Sequence, residues 1–134
     1  MELDELWTYV GRRVNKCWLW LALCRRTRQV VAYALGARDA ASARTLLGRL
    51  PPGYRTCRCH TDAWPAYAEA LPTWQHRPRL GAGPTNHVER FNATLRARLG
   101  RLVRKTLSFA KCSRMLEVTI RLFLHHHNLS CSRK

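Results

Sequence analysis

The sequence has no apolar run near the roughly 18–20 residues a helix needs to cross a bilayer. It therefore predicts no membrane-spanning helix. A secretory leader is also missing from the reading. Met1 to Trp7 carries three acids and no base, whereas a leader opens with positive charge and a longer apolar stretch. A cytoplasmic, nucleoid-associated location is expected. The six cysteines, Cys17, Cys24, Cys57, Cys59, Cys112 and Cys131, form no C-x-x-C pair. Cys57 and Cys59 are too close for a zinc knuckle. They are expected to be reduced thiols, several of them buried in strands. There is no internal repeat and no low-complexity tract. Acids are the scarcest functional group, eight against 24 Lys and Arg.

What is present follows from that imbalance. The formal net charge is +16, and most of the cations are arginines. A planar guanidinium forks onto phosphate oxygens. A surplus of this size points to a polyanionic partner, above all nucleic acid. Arginine-rich codon usage is the plain alternative. The length suits a single domain over residues 1–134, with a core of ordinary size.

The first forty residues read as three strands, Leu3–Val10, Cys17–Cys24 and Gln29–Gly36. The polar segments Gly11–Lys16 and Arg25–Arg28 read as turns between them. Asp39 is placed to cap a helix with Leu46, Leu47 and Leu50 as its stripe, stopped by Pro51-Pro52-Gly53. Tyr54–Thr61 reads as a strand ending at Asp62. A short helix over Ala63–Leu71, a brief edge strand near Trp74–Arg77 and a loop over Pro78–Pro84 follow. A long helix starts at Asn86 with Val88, Phe91, Leu95, Leu99 and Leu102 on one stripe. A hinge at Leu107–Phe109 precedes a last helix, about Ala110–His127, whose core face is Leu116, Ile120, Phe123 and Leu124. This order predicts an α/β fold, a ribonuclease H-like mixed sheet flanked by helices.

With only eight acids, each can be weighed. Hard divalent ions prefer oxygen ligands. Two such ions roughly 3.5–4 Å apart can activate an attacking oxygen and stabilise a leaving one. Three carboxylates from separate elements could hold them. Asp4 lies in the first strand, sharing a face with Leu6 and Thr8, with Glu5, Trp7 and Tyr9 on the other. It could also be an acid near a frayed terminus. Asp62 follows another strand, where it could equally cap the next helix. Glu89 stands three residues after Asn86 and could be a capping-box partner. Glu89, Asn92, Ala93 and Arg96 share one helix face.

Four segments carry a resemblance. They are Glu2-Leu-Asp-Glu-Leu-Trp-Thr-Tyr-Val-Gly11, His60-Thr-Asp-Ala-Trp-Pro-Ala-Tyr67, His87-Val-Glu-Arg-Phe-Asn-Ala-Thr-Leu-Arg96 and Arg101-Leu-Val-Arg-Lys-Thr-Leu-Ser-Phe109. In order and spacing they resemble the catalytic half of transposases of the insertion-sequence-one family. The resemblance covers nearly the whole chain. It implies a ribonuclease H-like fold and an Asp-Asp-Glu triad, which falls on Asp4, Asp62 and Glu89. It also implies two Mg²⁺ or Mn²⁺ ions. Arg96 and Asn92 match a basic position and an amide near the DNA. The run Arg96, Arg98, Arg101, Arg104 and Lys105 would lie along phosphates. The reaction implied is cleavage at an element's end by water, then attack of the freed 3′-hydroxyl on target DNA. No covalent protein intermediate is involved. Full transposases of this family carry an upstream zinc-binding and helix-turn-helix region that recognises element ends. That region is expected to be absent here, so a homo-oligomer on DNA and an upstream-frame end-binding protein are expected partners.

Two other functions stay open: a truncated, non-catalytic DNA-binding remnant, and a nuclease or resolvase on the same fold. His125, His126 and His127 are adjacent on a helix and point three ways, which disfavours joint chelation. Packing or a contact at the site's rim is the better expectation for His126 or His127. Trp18 and Trp20 are expected in the core. Trp64 either stacks on a base or packs.

Overall fold

The computed structural model describes residues 1–79, 83 and 85–133. Five strands form one sheet in the order β3-β2-β1-β4-β5. They are β1 (Glu2–Val10), β2 (Arg12–Leu23), β3 (Val30–Gly36), β4 (Cys59–Thr61) and β5 (His76–Pro78). Strands β1, β2 and β3 pair antiparallel, whereas β4 runs parallel to both β1 and β5. The helices are α1 (Ala40–Gly48), α2 (Pro65–Ala70), α3 (Asn86–Arg98) and α4 (Ser113–Ser132). This mixed sheet with flanking helices is the architecture expected from the sequence and is compatible with a ribonuclease H-like fold.

Each face of the sheet has its own core. Leu3, Trp20, Ala22, Ala32 and Ala34 pack with Ala43 and Leu46 of α1 and Ala66 and Tyr67 of α2. Leu6, Leu19, Leu21 and Leu23 pack with Val88, Phe91 and Leu95 of α3 and Leu116, Ile120 and Leu124 of α4. Consecutive strand residues point to opposite faces, so one apolar run in β2 supplies both layers. Removing each of the leucine, isoleucine, valine and phenylalanine side chains from water stabilises the fold by about 1.5–3 kcal/mol. Trp20 is buried and Trp18 is half-buried against the first layer.

Several boundaries differ from the sequence reading, each for a physical reason. The turn expected over Gly11–Lys16 is confined to Gly11, whose φ of 71° glycine tolerates. Arg12–Lys16 therefore continue β2 as an exposed overhang. The strand expected from Tyr54 begins only at Cys59. Pro52–Tyr54 form a 3-10 turn, and the Gln75 side-chain amide donates to the Arg55 and Cys57 carbonyls at 2.9 and 2.8 Å. A side chain thus satisfies backbone groups that a neighbouring strand would otherwise take. The last helix starts at Ser113 rather than Ala110, because Ala110 bridges to Val10 and accepts from Gly11 N at 2.7 Å. It runs past His127 because Asn128 binds both Val30 N and Val30 O at 2.8 Å. Asp39 caps α1, accepting from Ser42 N at 2.8 Å. Much of the expected Pro78–Pro84 loop lies outside the described residues. All six cysteines are unpaired thiols, but only Cys59 is buried.

Candidate active site

The first strand directs its three acids to three different supports. Glu2 and Asp4 face α3, whereas Glu5 faces α2 and the segment before α1. Glu2 is fully buried. Its Oε2 accepts from the backbone N–H groups of His87 and Val88 at 2.9 and 2.8 Å, and its Oε1 pairs with Arg25 at 3.1 Å. It therefore stands where a capping side chain would, since Thr85 at the head of α3 makes no capping bond. Asp4 accepts from Glu5 N at 2.9 Å and from the Asn92 amide at 2.6 Å. Glu5 accepts from Tyr67 Oη at 2.8 Å and from Arg38 at 2.9 Å. The Arg38 guanidinium in turn lies 3.9 Å over the Trp64 ring and 4.6 Å over that of Trp18.

The strand pairing brings Asp62 to this place. Glu2 of β1 is in register with His60 of β4, so continuing that parallel register sets Asp4 beside Asp62. Asp4, Glu5 and Asp62 each offer a carboxylate oxygen, and these lie within 4.8 Å of one another. Asp62 does not cap α2. Its Oδ1 accepts from Trp64 N at 3.0 Å, and Trp64 is itself the residue before the helix.

Three acids in so small a space repel one another. Burial pushes Asp4 up to about 7, helped by the adjacent Glu5 and Asp62 carboxylates. Burial also raises Glu5. The Tyr67 hydroxyl is driven well above its usual range by burial and by Glu5. A bound cation would reverse this balance by favouring the ionised carboxylates.

Glu89 lies outside that trio. Its Oε1 pairs with Arg79 at 2.5 Å and accepts from Thr85 Oγ1 at 2.7 Å. It is no capping-box partner, and Thr85 rather than Asn86 precedes the helix. Arg79 is tied to the site through its backbone, donating to Thr61 O at 2.9 Å, one residue before Asp62. Asn92, from the same helix, reaches Asp4 directly. Its Oδ1 is buried without a partner.

The expected DNA-facing residues divide into two groups. Asn92 is engaged by Asp4. Arg96 donates to Leu102 O at 2.9 Å and Trp7 O at 3.4 Å, clamping α3 to β1. Arg98, Arg104 and Lys105 are exposed and Arg101 is half-buried. Arg104 sits 5.3 Å over the Trp7 ring. Arg98 and Arg101 border a hollow of about 580 Å³ with Lys111. His127 packs 4.5 Å from Phe91 and meets Arg28 O at 3.0 Å. Trp64 packs against the first core layer.

Sequence reasoning missed Glu2, Glu5, Tyr67 and Arg38. The signal for Glu5 was its adjacency to Asp4. Strand alternation argued against it, yet side chains that leave opposite faces converge here, where the neighbouring strand β4 ends.

The family model for IS1 transposases matches residues 1–130. The chain is 36% identical over 126 residues to the insertion element iso-IS1n protein InsB of Shigella dysenteriae, covering 94% of each. It is 36% identical over 124 residues to the IS1 4 protein InsB of Escherichia coli (strain K12), covering 92% of this chain and 72% of that one. The IS1 protein InsB of Shigella flexneri is also 36% identical, with 92% of each covered. The match spans the strand that bears Asp4, the strand that Asp62 follows and the helix that meets Asp4, and the chain belongs to the IS1 transposase family.

Proposed function

We propose that this transposase cuts and joins DNA at a divalent-metal site built on Asp4 and Asp62, with Glu89 as the third carboxylate. The observation that carries this reading is the approach of the Asp4 oxygens, from within β1, and the Asp62 oxygens, from just past the end of β4. The donor set is all oxygen, which suits Mg²⁺ or Mn²⁺. The partnerless Oδ1 of Asn92 supports the fit, being a buried acceptor with no protein donor. Two ions held there would supply Lewis-acid activation of the attacking oxygen and neutralise charge on the leaving one.

The remaining roles belong to side chains. Asn92 orients Asp4, and Arg38 with Tyr67 restrains Glu5. Glu89 stands on an exposed ion pair, one turn before Asn92 on the same face of α3. The exposed Arg98, Arg104 and Lys105, with Arg101, supply cations for the DNA backbone.

The test uses purified full chain, a pre-cut element end and Mg²⁺ or Mn²⁺. Metal-dependent nicking and strand joining are expected, abolished by Asp62→Asn with DNA affinity retained or increased. Equal activity in that variant would remove Asp62 from the site. Cleavage without joining would favour a nuclease, and binding without either would favour a non-catalytic remnant.

A further inference from the structure

Helix α3 presents different residues on its two sides. At 100° per residue, Glu89, Asn92 and Arg96 lie on one side, and His87, Arg90, Phe91 and Thr94 on the opposite side. The second set lines a cavity of about 300 Å³ together with Arg28 and His127. No carboxylate among the described residues lines it. The guanidinium groups of Arg28 and Arg90 have no acceptor among the described residues, whereas Arg25, Arg38 and Arg79 each pair with an acid. Glu2 Oε1 is 3.9 Å from His87 Nε2 and already carries Arg25. The cavity is therefore a cationic pocket with an aromatic wall, Phe91 against His127.

Arg28 adds a second, independent observation. Its φ of 63° is the only positive value at a non-glycine position among the described residues. A side chain in the left-handed region costs about 1–2 kcal/mol, which glycine would avoid. The tight turn is closed by Arg28 N to Cys24 O at 2.8 Å, and Arg28 O is held by His127. An arginine thus stands where the backbone favours glycine, at the rim of the cavity. Such outliers gather at binding sites.

We propose that this pocket holds a backbone phosphate of the DNA strand, clamped by Arg28 and Arg90, with the attached sugar or base resting on the His127 and Phe91 rings. The proposal rests on the reading that the substrate is DNA and adds where the strand runs. Pocket and aspartates lie on opposite faces of α3, a helix about 10 Å wide, so a strand joining them passes over the helix. The strand would cross α3 and be gripped several nucleotides from the reacting bond.

The test is fluorescence anisotropy with a mixed-sequence duplex of about 30 base pairs, without divalent metal, over a salt series. Arg28→Gly with Arg90→Ala should weaken binding about tenfold or more and lower the salt slope by about 2. A matched pair on the exposed face of α4, Arg114→Ala with Arg121→Ala, should change affinity much less. Arg28→Gly alone should melt at or above the wild-type temperature while binding DNA more weakly. A merely structural Arg28 would not separate those two readouts. Equal effects of the two pairs, or an unchanged salt slope in the pocket pair, would overturn the pocket and leave the DNA reading intact. Failure of the wild type to bind duplex would overturn both.

Discussion

Asn92 of α3 donates its side-chain amide to Asp4 of β1 at 2.6 Å, across 88 positions of sequence. The pair joins a helix to the first strand at the point where Asp62 arrives from β4. Asn92 is only 8% exposed, so few other orientations are open to it. Its amide leaves Asp4 ionisable in a setting that otherwise opposes charge, because a hydrogen bond to the charged form offsets part of the burial penalty.

Replacing Asn92 by Ala removes that donor and leaves Asp4 buried beside two other acids. Groups that orient metal ligands typically contribute 10–100-fold to metal affinity or activity. A loss of about that size in metal-dependent cleavage is expected, with duplex affinity unchanged within about threefold. Cleavage kinetics at several Mg²⁺ concentrations would check it. Undiminished rates at low Mg²⁺ would show that Asn92 does not support the site.

Glu2 matters to the fold itself. A fully buried carboxylate holding two helix N–H groups and Arg25 is stable only as a complete set. Glu2→Ala leaves two backbone donors and a half-exposed cation unsatisfied and is expected to cost about 3–5 kcal/mol. Glu2→Gln keeps an acceptor and should cost about 1–3 kcal/mol. Thermal melts followed by circular dichroism should show the larger drop for Ala. Equal melting temperatures for both variants and the wild type would exclude a capping role.

The meander and α3 were legible because their patterns are local. Period-two alternation and turn residues mark β1 to β3, and the stripe Val88, Phe91 and Leu95 marks the helix that carries Asn92. The short β4 was overread because Gln75, 18 positions beyond Cys57, takes that segment's carbonyls. Nothing local to Tyr54–Arg58 announces that partner. Glu2 and Glu5 were missed for the same reason, since their roles depend on His87, Tyr67 and Arg38. Asp4 and Asp62 were set apart from the other acids only by the family resemblance, whereas the position of Glu89 against Arg79 depends on where β5 ends.

The acids also set a pH dependence. In the metal-free fold Asp4 titrates near 7, against about 3.8 for an ordinary Asp. The folded state binds this proton more tightly, so stability is greatest below the lower value and declines as pH rises towards 7. His60 and His76, lowered by burial, act with the opposite sign. Comparison of wild type with Asp4→Asn isolates the acid. In EDTA, the urea midpoint of wild type relative to Asp4→Asn should fall between pH 5 and pH 8, and Mg²⁺ should reverse the fall at pH 8. A constant difference across that range would contradict the burial of an unpaired charge at Asp4.

Arg79 and Glu89 provide the last prediction. Their side chains are 31% and 45% exposed, and ion pairs so placed contribute at most about 1 kcal/mol. That is small beside the attraction of a carboxylate to a divalent ion, so the pair cannot hold Glu89 away from a metal if Glu89 is a ligand. It should tax binding by no more than its own strength. Arg79→Met removes the competing cation while keeping the aliphatic stem. Mg²⁺ affinity, measured by isothermal titration, is then expected to rise by up to about fivefold, the equivalent of about 1 kcal/mol. Glu89→Gln should lower the affinity and erase the effect of Arg79→Met in the double variant, because the two side chains then act through one contact. If Arg79→Met raises affinity equally with and without Glu89, its charge acts on the aspartates directly, and the third carboxylate must be sought at Glu5.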